Sequence, residues 1–360
     1  MVSQKRPTPY QMSVVTQTLL EKIKVEKSRA ICFFNNKGGV GKTTLVANLA
    51  AHLGLRMGLK ILVVDADPQC NLTQYVLDDD EFIKTYVKSK NPHSIYSIIH
   101  PLSTGQGYLE KLPIITAKKF GFDMIIGDPR LALKEDLLAQ DWRDAKSGGT
   151  RGLRTTFVFS DLIAKASSYD LILFDMGPSL GAINRAILLS ANYFLVPMAI
   201  DIFSLWAIKN ISEALRIWTK EIENGLAMAE NPSEIPQRTS RPRLRFIGYV
   251  TQQHKEKSED GDRRIVQAYK SIGDKIPSEI KENLKILYLS PKMDPHLGDI
   301  KHLASLAPKS QTLHTPMIDI RLTGSYVSMR AQARTIYWGL AEKFVANISL
   351  ENLAKRIDRK

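Results

Sequence analysis

Residues 34–44 read FNNKGGVGKTT, which places three glycines, two lysines and two threonines in eleven positions. Glycines let consecutive backbone N–H groups turn to one side, and the resulting concavity suits a bound anion. A helix opening at Lys42 adds the partial positive charge of its N-terminus. The usual phosphate-loop pattern is G-x-x-x-x-G-K-[ST]. Gly41, Lys42 and Thr43 supply its end, while Asn36 stands in the place of the first glycine. The loop is therefore a deviant phosphate loop, and it carries one lysine more than a single triphosphate needs.

The chemistry expected of it follows residue by residue. Gly38, Gly39, Val40 and Gly41 would cradle phosphate oxygens through their amides. Lys42 would bridge the β- and γ-phosphates, Thr43 would bind Mg²⁺ through its hydroxyl, and Thr44 would donate to the α-phosphate. Two acids follow in VVDADPQCN. Asp67 is assigned to the attacking water, and Asp65 either supports Mg²⁺ through its water shell or holds the loop. In YDLILFDMGPS an apolar run ends on Asp175, the acid expected to hold the Mg²⁺ hydration shell opposite the loop threonine. Gly177 lies just beyond it, so residues 176–182 read as a switch segment able to move when the γ-phosphate leaves.

Such groups converge only if elements bring them to one edge. Short apolar runs at 29–34, 60–65, 122–127, 169–175, 192–197 and 245–250 read as buried parallel strands. Helical spacing lies between them, as in Leu45, Leu49 and Leu53, and in Leu205, Ile208, Ile211, Leu215 and Trp218. Strand then helix, repeated, predicts an α/β fold with a doubly wound, mostly parallel sheet flanked by helices. In such sheets ligands sit at the carboxyl ends of strands, where all three motifs fall. Residues 1–28 read as a short helical extension, 29–345 as one domain with insertions near 78–121 and 139–154, and 346–360 as a basic tail. The polar stretch 231–245 reads as an exposed loop.

Taken together, KGGVGKTT, DADPQ-x-N and LILFDMGPSLG resemble the ParA/MinD family of deviant Walker A ATPases, and most of all its ParA/Soj partitioning branch. The likeness runs from about residue 29 to about residue 345. It implies a P-loop NTPase fold, ATP and Mg²⁺ as ligands, an ATP-dependent homodimer, and slow hydrolysis stimulated by a ParB-like or other activating partner. In that family the extra lysine reaches across the dimer to the partner's ATP; here that residue is Lys37. A second cation near a triphosphate is most useful when supplied in trans, as arginine fingers are. The likeness also makes YLSPKMDPHLGD the adenine loop, with Pro291 and Met293 as candidates; a proline turn with a packed methionine is the alternative. Two departures stand out: Cys70 replaces a usual glycine, and Met176-Gly177 replaces a small-residue or proline pair. The extension before residue 29 is also shorter than an operator-binding domain of ~100 residues, so sequence-specific repression is not expected.

Charge points to the partner class. Lys plus Arg number 50 against 37 Asp plus Glu, a net charge of +13, which favours polyanions. Arg238, Arg241, Arg243 and Arg245, then Arg263, Arg264, Lys270, Lys275, Lys281 and Lys285, could follow a DNA backbone without reading bases. Acids at 256, 259, 260, 262 and 282 leave a merely solvated face open. Non-specific DNA binding in a cytoplasmic, nucleoid-associated protein is thus the first reading. The second is a MinD-like membrane cycler, which needs a basic amphipathic tail; FVANISLENLAKRIDRK has a thin apolar face interrupted by acids, so membrane association is not expected. A third places the same switch in another system, such as defence. Two cysteines without a C-x-x-C pair argue against an iron–sulfur carrier and against a disulfide framework. The lack of an N-K-x-D segment argues against GTP.

Overall fold

The computed structural model describes residues 12–89, 91–236, 244–252, 263–300, 303 and 305–350, with backbone alone for 263–269. Its framework is an eight-stranded sheet: β1 (Arg29–Phe33), β2 (Ile61–Ala66), β3 (Ile115–Ala117), β4 (Phe122–Ile125), β5 (Leu171–Met176), β6 (Tyr193–Ala199), β7 (Arg245–Gln252) and β8 (His296–Ile300). The spatial order is β3-β4-β2-β5-β1-β6-β7-β8. All neighbours are parallel except the edge pair β3 and β4. The six expected strands are all present. The two additional ones are the edges, and their sequences explain why they escape notice: β3 has three residues, and β8 (HLGDI) buries only Leu297 and Ile300.

Strands β1, β2, β5 and β6 are buried along their whole length. A strand covered on both faces has no solvent side to encode, which is why these read as unbroken apolar runs. Helices cover both faces, among them α1 (Val14–Val25), α2 (Lys42–Leu55) and α3 (Asn71–Val76). Ser13 caps α1 by accepting from the Thr16 amide, and Leu20 and Ile23 seat that helix on the core. The stretch 78–121 is built into the domain: Ile98 and Ile99 of the helix Ile95–Ser103 are buried, and β3 closes one sheet edge. Residues 139–154 are helical, divided between Glu135–Lys146 and Thr150–Thr156, with Trp142 buried.

The register fixes the site. Phe33 of β1 pairs with Asp175 of β5, and Asp65 of β2 pairs with the same Asp175. Because β1, β5 and β2 are adjacent and parallel, the FNNKGGVGKTT loop, Asp175 and the Asp65–Asp67 turn emerge together at one end of the sheet.

Candidate functional site: a phosphate loop beside an unpartnered carboxylate

The loop leaving β1 is anchored on both sides. Buried Asn35 donates from Nδ2 to the Pro197 carbonyl at 2.8 Å and accepts from the Lys37 amide at 3.0 Å. The Gln252 side-chain amide donates to the Gly41 carbonyl at 3.2 Å. Gly39 and Gly41 have φ of +74° and +70°, the left-handed region that glycine enters without strain. At Gly41 a Cβ would also overlap the Gln252 amide. No side chain caps α2, which starts at Lys42. Its first amides are left facing a cleft, the arrangement that receives phosphate.

That cleft has a volume of about 600 Å³ and is lined by Gly38 through Thr44, Asp67, Gln69, Asn71, Gln74, Tyr75, Pro178 and Gln311. It therefore gathers Gly38 through Thr44 of the expected loop together with Asp67, while Lys37, Asp65, Asp175 and Gly177 are not among its lining residues. Lys42 is buried; its ammonium donates to the carbonyls of Asn35 at 3.2 Å and Lys37 at 3.0 Å. Burial lowers its pKa, while the carboxylates of Asp175 and Asp67 act in the opposite sense.

The three acids separate by their partners. Asp65 is fully buried, and its Oδ2 accepts from the Thr73 amide at 2.8 Å and the Thr73 hydroxyl at 2.6 Å. Its Oδ1 accepts from the Asp67 amide at 3.4 Å. Burial raises its pKa to about 7, and the Thr73 hydrogen bonds limit the rise. Of the two roles expected for Asp65, these bonds support the loop-holding one, since both oxygens are engaged by the turn. Asp67 lies beyond the end of β2 at Ala66; its Oδ1 accepts from the Gln69 amide at 3.0 Å, and it lines the cleft. Asp175 is almost fully buried, and neither of its oxygens has a hydrogen-bond partner among the described residues. Burial pushes its pKa well above the carboxylate range, reinforced by Asp65; Thr43 and Lys42 oppose the shift.

An orphaned buried carboxylate next to a threonine hydroxyl fits a hard cation that takes its other ligands from water and phosphate. Among the described residues no cluster of His, Cys, Asp or Glu could hold a metal by itself. Thr43 and Asp175 fit Mg²⁺ that comes with a nucleotide, whereas both oxygens of Asp65 already accept hydrogen bonds, Oδ1 one at 3.4 Å.

The segment after β5 is pinned at several points. The Asn184 side-chain amide donates to the carbonyls of Gly177 at 2.8 Å and Ser179 at 2.7 Å. The Glu135 carboxylate accepts from the Ala182 and Ile183 amides, capping the helix Ala182–Ser190 from a distant element. A Cβ on Gly177 would come 3.2 Å from Asp67 Oδ1, so any larger residue there crowds the acid. Cys70, at the position read as a glycine replacement, has φ of +53°, which explains why glycine suits it.

Sequence reasoning missed one wall of the cleft. Gln311 arrives on the helix Leu306–Thr312, tied to α3 by the Tyr75 and Ser310 hydroxyls at 2.5 Å. Asn48 of α2 completes the tie, donating to the Tyr75 hydroxyl at 3.0 Å and accepting from the Met317 amide at 2.8 Å. The adenine candidates are elsewhere: Met293 is buried in the core, Pro291 is exposed, and neither lines this cleft. The turn before β8 commits Met293 to packing.

Lys37 does not face the cleft's interior. Its ammonium is paired with Asp201, the N-cap of the helix Ile202–Ala227. Of the basic candidates, Arg245 opens β7 and its guanidinium reaches the Ile286 carbonyl at 3.5 Å, while Lys270 is exposed on the helix Arg263–Leu284. Arg263 and Arg264 begin that helix; Arg238, Arg241 and Arg243 lie outside the described residues, as does the tail from 351 onward. No helix among the described residues is long and apolar enough to cross a membrane.

A model of the AAA domain family matches residues 28–228, more than half of the chain. The chain belongs to the ParA/Soj/MinD family of P-loop ATPases. Among ParA-family relatives, it is 30% identical over 196 residues to a probable plasmid-partitioning protein ParA of Thermus thermophilus, covering 54% of this chain and 52% of that one. It is 28% identical over 224 residues to the chromosome-partitioning ATPase Soj of the same organism, covering 62% and 69%. The chain thus spans from about half to two-thirds of the length of these ParA-family relatives. A crystal structure of a Corynebacterium diphtheriae protein, 28% identical, aligns over 79% of this chain and 97% of that one with a TM-score of 0.60. The Cyanothece McdA–ATP complex, 16% identical, aligns over 87% and 96% with a TM-score of 0.56, and shares the fold of this ParA-family chain.

Proposed function

We propose that this protein is an ATP-dependent dimerising switch of ParA type, which binds DNA non-specifically in its ATP state and hydrolyses ATP slowly under stimulation by a partner protein. The observation that carries the reading is the buried, unpartnered Asp175 carboxylate beside a glycine loop that bears two lysines. The DNA and partner parts rest on the net charge of +13 and on the ParA-named relatives.

The reaction is ATP plus water to ADP plus phosphate. The amides of residues 38–44 receive the phosphates, and Lys42, already desolvated, exchanges its two carbonyl partners for phosphate oxygens. Thr43 and Asp175 would hold Mg²⁺, which would supply positive charge to offset that of the bound phosphates. Asp67, anchored through one oxygen to the Gln69 amide, orients the attacking water with the other. Gly177 sits against Asp67, so its segment senses whether the γ-phosphate is present. Lys37 acts on the partner's nucleotide.

Sedimentation and DNA retention with ADP, ATP and a non-hydrolysable analogue across a salt series test this. The expected result is a dimer and salt-steep DNA binding with ATP or the analogue only. An ATP state that neither dimerises nor binds DNA overturns the reading. Lys37→Ala is expected to lose dimerisation or hydrolysis while keeping nucleotide binding; loss of all binding would count against a role in trans.

A further inference from the structure

Gly177, Pro178 and Ser179 form a short bridge beside the phosphate cleft. At one end, a Cβ on Gly177 would stand 3.2 Å from Asp67 Oδ1; in the middle, Pro178 lines the cleft, its Cγ 4.0 Å from where a Cβ of Gly38 would stand. The bridge thus abuts the acid read as orienting water and the phosphate loop. Its buried carbonyls need partners from outside the turn, and one side chain supplies them. Buried Asn184 donates from Nδ2 to the Gly177 carbonyl at 2.8 Å and the Ser179 carbonyl at 2.7 Å, with a longer contact to the Ser179 hydroxyl at 3.3 Å. A side-chain amide has two N–H donors, and here they hold the residues on both sides of Pro178.

Asn184 is in turn fixed by its helix, Ala182–Ser190, which is seated from two sides. The Glu135 carboxylate accepts from the Ala182 amide and from the Ile183 amide at 3.2 Å, and a Cβ on Gly181 would strike it. The Arg185 guanidinium lies between two indoles, 4.3 Å from the Trp142 ring centroid and 5.8 Å from that of Trp218. Trp142 belongs to the helix Glu135–Lys146 and Trp218 to the helix Ile202–Ala227. The residues on either side of Asn184 are therefore held by separate elements, which sets the rotation of the helix and the reach of Nδ2.

We propose that Asn184 is a positioning residue for ATP hydrolysis: by holding the carbonyls on both sides of Pro178 it keeps the bridge against Asp67, and so keeps the Asp67 carboxylate in line with the attacking water. Glu135 acts one step further back, by placing Asn184. The proposal rests on the reading of Asp67 given above. Nucleotide binding is separate, because the phosphate loop is anchored by Asn35 and Gln252 and continues into α2. A bridge released from Asn184 leaves the loop intact and Asp67 misplaced, and a shift of about 1 Å in such a group costs ~10²-fold in rate.

The test is ATP hydrolysis by the full chain with Mg²⁺, read as released phosphate, alongside affinity for a non-hydrolysable ATP analogue. Asn184→Ala is expected to slow hydrolysis about 30- to 100-fold while analogue affinity stays within about twofold. Glu135→Ala should slow it about tenfold, and Glu135→Gln, which keeps an acceptor for the helix amides, should recover most of the rate. Because Asn184 acts through Asp67, adding Asn184→Ala to Asp67→Ala should slow the residual reaction by less than about twofold, whereas a merely structural role would lower it by the same factor in both backgrounds. Where Asp67→Ala is itself slow, an Asn184→Ala protein that hydrolyses like wild type, loses analogue binding, or shows its full factor in the double variant overturns the inference and leaves the role of Asp67 standing. If Asn184→Ala does not fold, the Glu135 pair decides, with Glu135→Ala matching wild type as the overturning result. An Asp67→Ala protein as fast as wild type removes both readings, and so does a wild type that releases no phosphate.

Discussion

Asp65 and Asp175 are register partners on adjacent strands, equally buried, and opposite in circumstance. Asp65 accepts three hydrogen bonds, one from the Asp67 amide and two from Thr73 of α3, whereas no donor meets Asp175 in ordinary hydrogen-bond geometry and only the neighbouring Thr43 hydroxyl favours its charge. Burial alone would treat them alike. Their partners differ: one carboxylate is tied to Thr73 and the Asp67 amide, and the other is left without a donor in hydrogen-bond geometry. The difference also locates the cost of the site: an unpartnered buried carboxylate destabilises the empty protein, and the same bareness favours a cationic, hydrated ligand.

Four experiments sharpen or break that contrast. The largest effect is expected from Asp175→Asn, which should lower ATP hydrolysis by about 10²-fold or more while raising the melting temperature of the nucleotide-free protein. A variant that is both inactive and destabilised would mean that Asp175 has hidden structural partners. Asp65→Asn should do the reverse for stability, because its new NH₂ group meets the Thr73 donors. Denaturant unfolding should show a loss of about 1–3 kcal/mol; an unchanged midpoint would return Asp65 to the candidate ligands.

The third concerns pH. The folded-state pKa of Asp65 is raised to about 7 and that of Asp175 is raised well above the carboxylate range. A carboxyl group raised on folding stabilises fully below its unfolded pKa, and that contribution is lost as pH rises through the folded one. Stability of the nucleotide-free protein should therefore fall between about pH 4 and pH 7, and Asp175→Asn should flatten the fall that continues above it. Thermal unfolding across pH 4–9 reads both. The smallest effect belongs to Cys70→Gly: relief of a left-handed backbone and loss of a buried side chain offset one another, leaving a change within about 1 kcal/mol and nucleotide affinity intact.

How far the sequence discloses these features depends on how local their causes are. The six central strands are legible because double-sided burial writes an apolar run, and the loop is legible because glycine, lysine and threonine have few other reasons to adjoin. Edge strands β3 and β8 carry no such run. The contrast between Asp65 and Asp175 is invisible in VVDADP and LILFDM alone, since it is made by Thr73, eight residues past Asp65. Gln311 and Ser310 have no motif at all; only the folded chain brings them to Tyr75. The adenine candidates Pro291 and Met293 rest on likeness of position; Met293 is buried, and neither lines the cleft at the phosphate loop. Lys37 was legible as a surplus cation, but its tie to Asp201 was not.

The hydroxyl contact between Tyr75 and Ser310 joins positions 235 residues apart. In the language of chain statistics, the cleft is the clasp of a very long loop. A ligand bridging Gln74 and Gln311 would tighten that clasp and restrict every segment strung between its ends, while touching few of them. Slower hydrogen exchange and proteolysis far from the phosphates, across the sheet as a whole, would be the visible trace of nucleotide arrival.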